Sequence, residues 1–268
     1  MIKQILTSLI LLTSATALAY NDADVRAVKA GLNVINGDLS GADLSGMNLS
    51  GRNFRGTSFV EARLVKVNFD KANLSETNFY RASLQEATLK NAKLNGAILN
   101  NVRAAKANFT NCDLSKALIN RANFYRGTFI NALFTGADVQ ECNFENANCD
   151  YTDFVGANLN NAWFRKVNLR NTVMRGANLF QATFTEAKLP YGDLREANLA
   201  KATFHKANLN YAKLDKAIMT DTDLTNASMQ NTEFKRAIMK KIEPKPDTKD
   251  NENKETKKKD KKKTNDEK

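Results

Sequence analysis

Histidine, cysteine, proline and tryptophan are scarce in this chain: among 268 residues there are one His, three Cys, three Pro and one Trp. The single histidine, His205, has no Cys or His at metal-ligand spacing, which argues against a histidine-based metal site and against a Ser–His–Asp arrangement. Cys112, Cys142 and Cys149 are too few, and odd in number, for a disulfide framework. No glycine-rich phosphate loop and no nucleophile elbow are present. Asp150 with Asp153, and Asp221 with Asp223, come nearest to paired carboxylates, but Asp at chain corners is ordinary. After residue 19 no apolar run is long enough for a membrane helix. These scarcities point away from an enzyme, and they imply no cofactor, no metal and no small-molecule substrate.

What the chain does have is a period of five. In Ala42-Asp43-Leu44-Ser45-Gly46 a small residue comes first, a polar one second and a large apolar one third. The order returns at Ala72-Asn73-Leu74, Ala107-Asn108-Phe109, Ala157-Asn158-Leu159, Ala177-Asn178-Leu179, Ala197-Asn198-Leu199 and Ala207-Asn208-Leu209. From Leu39 to Met239 every fifth residue is Leu, Phe, Met, Ile, Val or Cys, except Ala104. Two places earlier stands Ala, Gly, Thr, Val or Cys, except Met47 and Arg52. Inward residues two apart have β-strand spacing. A period of five is odd, so a continuous strand would lose its inward face, and the chain must turn a corner in every repeat. Short strands joined by regular corners make a coil whose interior takes one small and one large side chain per repeat. At Val102 and Ala104 the two sizes are exchanged, which conserves volume.

The pattern A-[DN]-[LF]-x-x resembles the pentapeptide repeat family, over residues 37–243 in an unbroken run of about forty copies. The resemblance implies an all-β right-handed quadrilateral β-helix, a β-solenoid with four repeats per coil. About ten coils then give a rod on the order of 50 Å long from the strand spacing. The four sides come from the resemblance; the period alone gives only the coil. With twenty residues per coil, no two cysteines stack on each other, and all three read as buried, apolar thiols in inward columns.

The flanking segments differ in composition. Residues 1–19 read as a secretory signal peptide, with Lys3 before the apolar run Ile5 to Leu12, and Ala17-Leu18-Ala19 as cleavage site leaving Tyr20 as N-terminus. Residues 20–36 read as a cap: Asn21 or Asp22 opens a helix, Val25, Val28 and Leu32 share one face, and Gly31 or Asn33 ends it. Such a cap covers the core at the end of a repeat array. Pro244 and Pro246 stop the array. Residues 244–268 hold ten Lys against seven Asp or Glu and almost nothing apolar, which reads as a disordered, Lys-rich tail.

Formal net charge is +11, a balance that favours anionic partners. Folded at twenty residues, one side collects Arg63, Lys66, Arg103, Lys106, Arg126, Arg165, Lys166 and Lys206, with Tyr125, Trp163 and His205 among them. The same side carries Asp43, Glu86, Glu145, Glu186 and Asp223. At the C-terminal end Ile218 and Ile238 take outward positions and stack, and no capping helix precedes Pro244. That end is a candidate for self-association, in keeping with family members that dimerise through their C-terminal coils. The expected function is an exported, periplasmic or secreted, non-enzymatic binding or scaffold protein. Its partner would be a protein or an anionic polymer or surface, met through the β-helix wall or the basic tail. Two further readings follow from the resemblance: a secreted effector delivered to another cell, and a DNA mimic that protects a topoisomerase. The second is opposed by the basic charge and the export signal.

Overall fold

A computed structural model describes residues 20–239. The proposed signal segment with Ala17 and Ala19, and the proposed tail over 244–268, lie outside the described residues. Parallel bridges link each outward residue to the one twenty places on: Asp38 to Ser58, Asp43 to Arg63, Asn48 to Asn68, Asn53 to Asn73, and so to Ile218 with Ile238. Four bridged positions per coil make four sides. They are called here sides one to four, beginning at Asp38, Asp43, Asn48 and Asn53.

Two hydrogen-bond patterns build the corners. At nearly all of them the N–H of the small inward residue reaches the carbonyl three places back, as in Ala62 to Phe59 at 3.0 Å. The residue before it has positive φ, as does Glu61 at 56°. Positive φ at the third turn residue alone is the signature of a type II turn. Most of these corners are not glycine: Lys66, Arg81, Tyr151 and Tyr191 all adopt φ near 60°. The local cost is offset because the same residue's N–H joins the ladder to the next coil, as Glu61 does to the Tyr80 carbonyl at 2.8 Å.

One N–H per repeat, on the residue after the large apolar one, finds no backbone partner. The Asn or Asp two places earlier supplies it: Asp43 Oδ1 accepts from Ser45, Asn108 from Thr110, Asn143 from Glu145. At some corners the acceptor sits one coil back, as Asp70 does for Lys90 and Asp150 for Arg170. The polar second residue of the repeat is therefore a structural acceptor.

The interior is filled without interruption. Phe144, Phe164, Phe184 and Phe204 stack face to face at centroid spacings of 5.0, 4.9 and 4.6 Å. Val102 and Ala104 are both buried, so the exchange of sizes is accommodated. Cys112, Cys142 and Cys149 are buried and unpaired, and the Sγ atoms of Cys112 and Cys142 donate to the Leu89 and Ile119 carbonyls. Burial pushes all three thiols up from their ordinary range. The folded protein is accordingly expected to resist a thiol reagent at pH 8 and to release three thiols on denaturation. A Cys that reacts in the native state would contradict this packing.

Helix α1, Asp22–Lys29, covers the first coil. Asn21 caps it by accepting from Ala23, and Asp24 accepts from the Asp38 N–H, tying the helix to the solenoid. Val25 and Val28 face the core, but Leu32 does not extend that face: the helix ends at Ala30, and Leu32 is exposed. Gly31, at φ 86°, is the residue that ends it. Arg52, the anomaly in the small column, lays its guanidinium against Gly31 at the negative end of the helix dipole. Met47 packs partly buried against the core. Among the described residues no helix is long and apolar enough to cross a membrane.

Candidate binding surfaces

Side two and the corner that follows it carry the basic residues singled out above. Arg63, Arg103 and Trp163 lie in the middle column, and Lys66, Lys106, Arg126, Lys166 and Lys206 at the corner. Five of these cations meet a carboxylate one coil away. Arg63 lies 3.6 Å from Asp43, Lys66 3.7 Å and Lys106 3.9 Å from the shared Glu86, Arg165 2.8 Å from Glu145, and Lys166 3.6 Å from Glu186. The wall is thus a ladder of alternating charge, and the free positive charge is sparser than the list of cations suggests. Each exposed pair stabilises the fold little, on the order of 0–1 kcal/mol. Among the described residues Arg103, Arg126 and Lys206 pair with no carboxylate. Arg126 instead lies over the Tyr125 ring, 5.1 Å from its centroid. Trp163 projects outward and is 55% exposed. The pairings could have been found in the sequence by comparing charges at i and i+20.

Among the described residues the C-terminal end is open. In earlier coils the N–H groups of Phe204, Lys206 and Leu209 bond to the carbonyls of Asp223, Thr225 and Ser228. Among the described residues the equivalent groups of the last coil, on Leu224, Asn226, Met229, Asn231, Phe234 and Arg236, have no such partner. Leu224, Met229 and Phe234 are only partly buried, Met239 is half-exposed, and Ile218 and Ile238 are bridged, outward and exposed.

Three of the other candidate carboxylates hold the backbone. Asp150, Asp153 and Asp223 each accept from backbone N–H groups, of Arg170, Val155 and Thr225. Asp221 lies beside Met219, Thr222 and Asp223 on a groove of about 430 Å³ at the open end. His205 is half-buried, and no group of three or more metal-ligating side chains occurs among the described residues. A groove of about 590 Å³ runs along the corner of side four where Gly156 and Gly176 leave space. It is walled by the bidentate Asp193–Arg195 pair, with Nε to Oδ1 at 2.8 Å and Nη2 to Oδ2 at 2.6 Å.

Partial burial pushes the Asp193 carboxyl up, but the hydrogen bonds from Arg195 outweigh it and hold the group below its usual range. A carboxyl lowered in the folded state contributes stability above its unfolded pKa, and that stability is lost as pH falls through the folded pKa. The melting temperature is expected to hold from pH 7 to about 5 and to fall below about pH 4. Asp193→Asn should flatten part of that fall in thermal melts, and an unchanged acid limb would contradict the assignment.

A four-sided parallel solenoid with a helical cap defines a repeat protein by class. The sequence comparisons place it more closely. The family described as pentapeptide repeats (8 copies) matches residues 38–75, 62–101, 97–136 and 204–240, and the pentapeptide repeat region family matches 137–214. The chain belongs to the pentapeptide repeat family. Among solved structures it is similar to HetL, a pentapeptide repeat protein involved in heterocyst differentiation regulation from the cyanobacterium Nostoc sp. strain PCC 7120. The match has 26% identity, covers 82% of this chain and 97% of that one, and has a TM-score of 0.53. A pentapeptide repeat protein of the Arabidopsis thaliana thylakoid lumen matches at 28% identity over 40% of this chain and 68% of that one, with a TM-score of 0.31. QnrB1, a plasmid-mediated fluoroquinolone resistance protein, matches at 20% identity over 71% and 92%, with a TM-score of 0.32. No curated protein sequence gives a significant match.

Proposed function

We propose that the protein is a non-enzymatic scaffold, working outside the cytoplasm, whose outer wall binds an anionic partner. The observation that carries this reading is the set of unpaired cations on side two and its corner, Arg103, Arg126 and Lys206, on the same wall as the exposed indole of Trp163. Cations and an aromatic face on a rigid surface hold anionic polymers by charge and by stacking. Support for a passive role comes from the carboxylates, which are occupied in capping the chain, and from the buried thiols. Export rests on residues 1–19 of the sequence. Trp163 is the sole tryptophan, so its emission reports directly on the wall. Titration of the full chain with dextran sulfate at 50 mM salt is expected to change that emission, with affinity dropping more than about tenfold at 300 mM. No binding at 50 mM would refute the reading.

A second reading concerns assembly, and the open last coil favours it. Unpaired N–H groups beside apolar side chains make a surface that a second copy can cover. Because α1 closes the opposite end, only a tail-to-tail homodimer buries this surface without leaving another one open.

A further inference from the structure

At the corner between sides one and two, successive coils present Glu61, Arg81, Asn101, Arg121 and Glu141. The order is symmetrical, with the acids at the outer ends and a short amide in the middle. Arg81 is held by Glu61 at 3.4 Å and lies over the Tyr80 ring at 5.0 Å. Arg121 grips Glu141 through Nε at 2.8 Å and Nη2 at 3.4 Å. Asn101 is shorter than its neighbours, so a notch opens above it. A groove of about 410 Å³, lined by Glu61, Arg81, Asn101 and Arg103, reaches the notch from side two, and one of about 280 Å³, whose lining includes Asn100, Asn120, Arg121 and Glu141, reaches it from side one.

Arg81, Arg103 and Arg121 thus line the two grooves that border Asn101, with the guanidinium groups of Arg81 and Arg121 turned to Glu61 and Glu141. Each has five N–H donors, and Glu61 and Glu141 engage only part of those on Arg81 and Arg121. Arg103 has no carboxylate partner among the described residues. The carboxylates orient the two flanking arginines, although as exposed pairs they hold them only weakly. Arginines on either side of one position suit an anion that accepts on several oxygens at once.

We propose that the notch over Asn101 binds a tetrahedral oxyanion, a phosphate or sulfate group borne on a flexible polymer. The proposal rests on the anionic-partner reading above and gives that reading a specific site. Inorganic polyphosphate and dextran sulfate separate the two sources of the group, and polyglutamate serves as the carboxylate control. Calorimetry on the full chain should show polyphosphate or dextran sulfate bound more tightly than polyglutamate. Arg103→Gln should weaken that binding about tenfold. Asn101→Glu should abolish the preference by placing a carboxylate between the arginines. The backbone there admits Glu, since Glu61 and Glu141 hold φ 56° and 57° in the same column. A thermal melt of each variant confirms the fold.

If Arg103→Gln and Asn101→Glu leave both affinities within about twofold while Arg126→Gln and Lys206→Gln reduce them, the notch is refuted and the anionic wall stands. If neither polymer binds at 50 mM salt, both fail. Binding of polyglutamate as tight as that of the other two would also overturn the notch.

Discussion

Phe164→Ala is expected to cost about 3–5 kcal/mol of stability, among the largest effects of a single substitution in the rod. Phe164 lies between two parallel rings, Phe144 at 5.0 Å and Phe184 at 4.9 Å, and meets the edge of Phe154 at 6.1 Å. The void left behind cannot close by moving the coils together. Their spacing is set by ladder bonds such as Phe144 to the Trp163 carbonyl at 2.8 Å and Phe164 to the Thr183 carbonyl at 2.7 Å. Phe164→Leu, which keeps most of the volume, should cost less than about 1.5 kcal/mol. Trp163→Ala, one residue away on the outer wall, should fall within about 0.5 kcal/mol of the parent. Urea unfolding of the three variants measures these differences. A Phe164→Ala loss no larger than that of Trp163→Ala would show that the ring stack does not hold the coils. Because each coil contacts only its neighbours, the damaged variant should also unfold over a broader range of urea.

Met239→Asp combined with Phe234→Asp is expected to dissolve the proposed homodimer, raising its dissociation constant at least about a hundredfold. Both side chains lie on the open coil, where Met239 is half-exposed and Phe234 only partly buried. In a two-fold interface each substitution occurs twice, so a loss on the order of 1–2 kcal/mol per site is doubled. Leu118→Asp is the matching control. It is exposed to a similar degree and stands in the same outward column as Ile218 and Ile238, but midway along the rod. It should leave the association state unchanged. Sedimentation equilibrium of the full chain reads the outcome, and a parent protein that stays monomeric at about 100 μM, far above any dissociation constant useful for assembly, would contradict the dimer.

Much of the rod is legible in the chain because each repeat commits two of its five residues to the interior. Leu and Phe can only fill the centre, and the odd period forces a corner. The number of sides is a different matter. The period is compatible with any whole number of repeats per coil, and four followed from the family resemblance until the bridges at i and i+20 gave it directly. The corners are harder to read. Positive φ is usually signalled by Gly or Asn, yet Tyr151, Tyr191 and several lysines occupy such positions, held there by ladder bonds rather than by their own preference. The role of Asn and Asp in the second place was visible as polarity alone. Their bond to the N–H two residues on depends on the turn they help to form. Leu32 continued the apolar spacing of Val25 and Val28, but Gly31 had already ended the helix.

The basic wall shows the limit most plainly. Counting charges on one side weighs Lys66 and Arg165 equally with Arg103, whereas in three dimensions the first two are matched by Glu86 and Glu145 and the third stands alone. Which cations remain available depends on the charge one coil away, a separation of twenty residues that becomes meaningful only once the coil is known. The same reading brings Arg81 and Arg121 to the site, residues that a search for unopposed charge passes over because each has its own acid.

Every choice of partner depends on the scaffold working outside the cytoplasm, and the natively expressed protein tests this directly. Fractionation followed by mass spectrometry of the N-terminus should find Tyr20 as the first residue, in a periplasmic or secreted fraction. An intact Met1 in the cytosol would contradict export, return intracellular partners to consideration, and leave only the net positive charge opposing a DNA mimic.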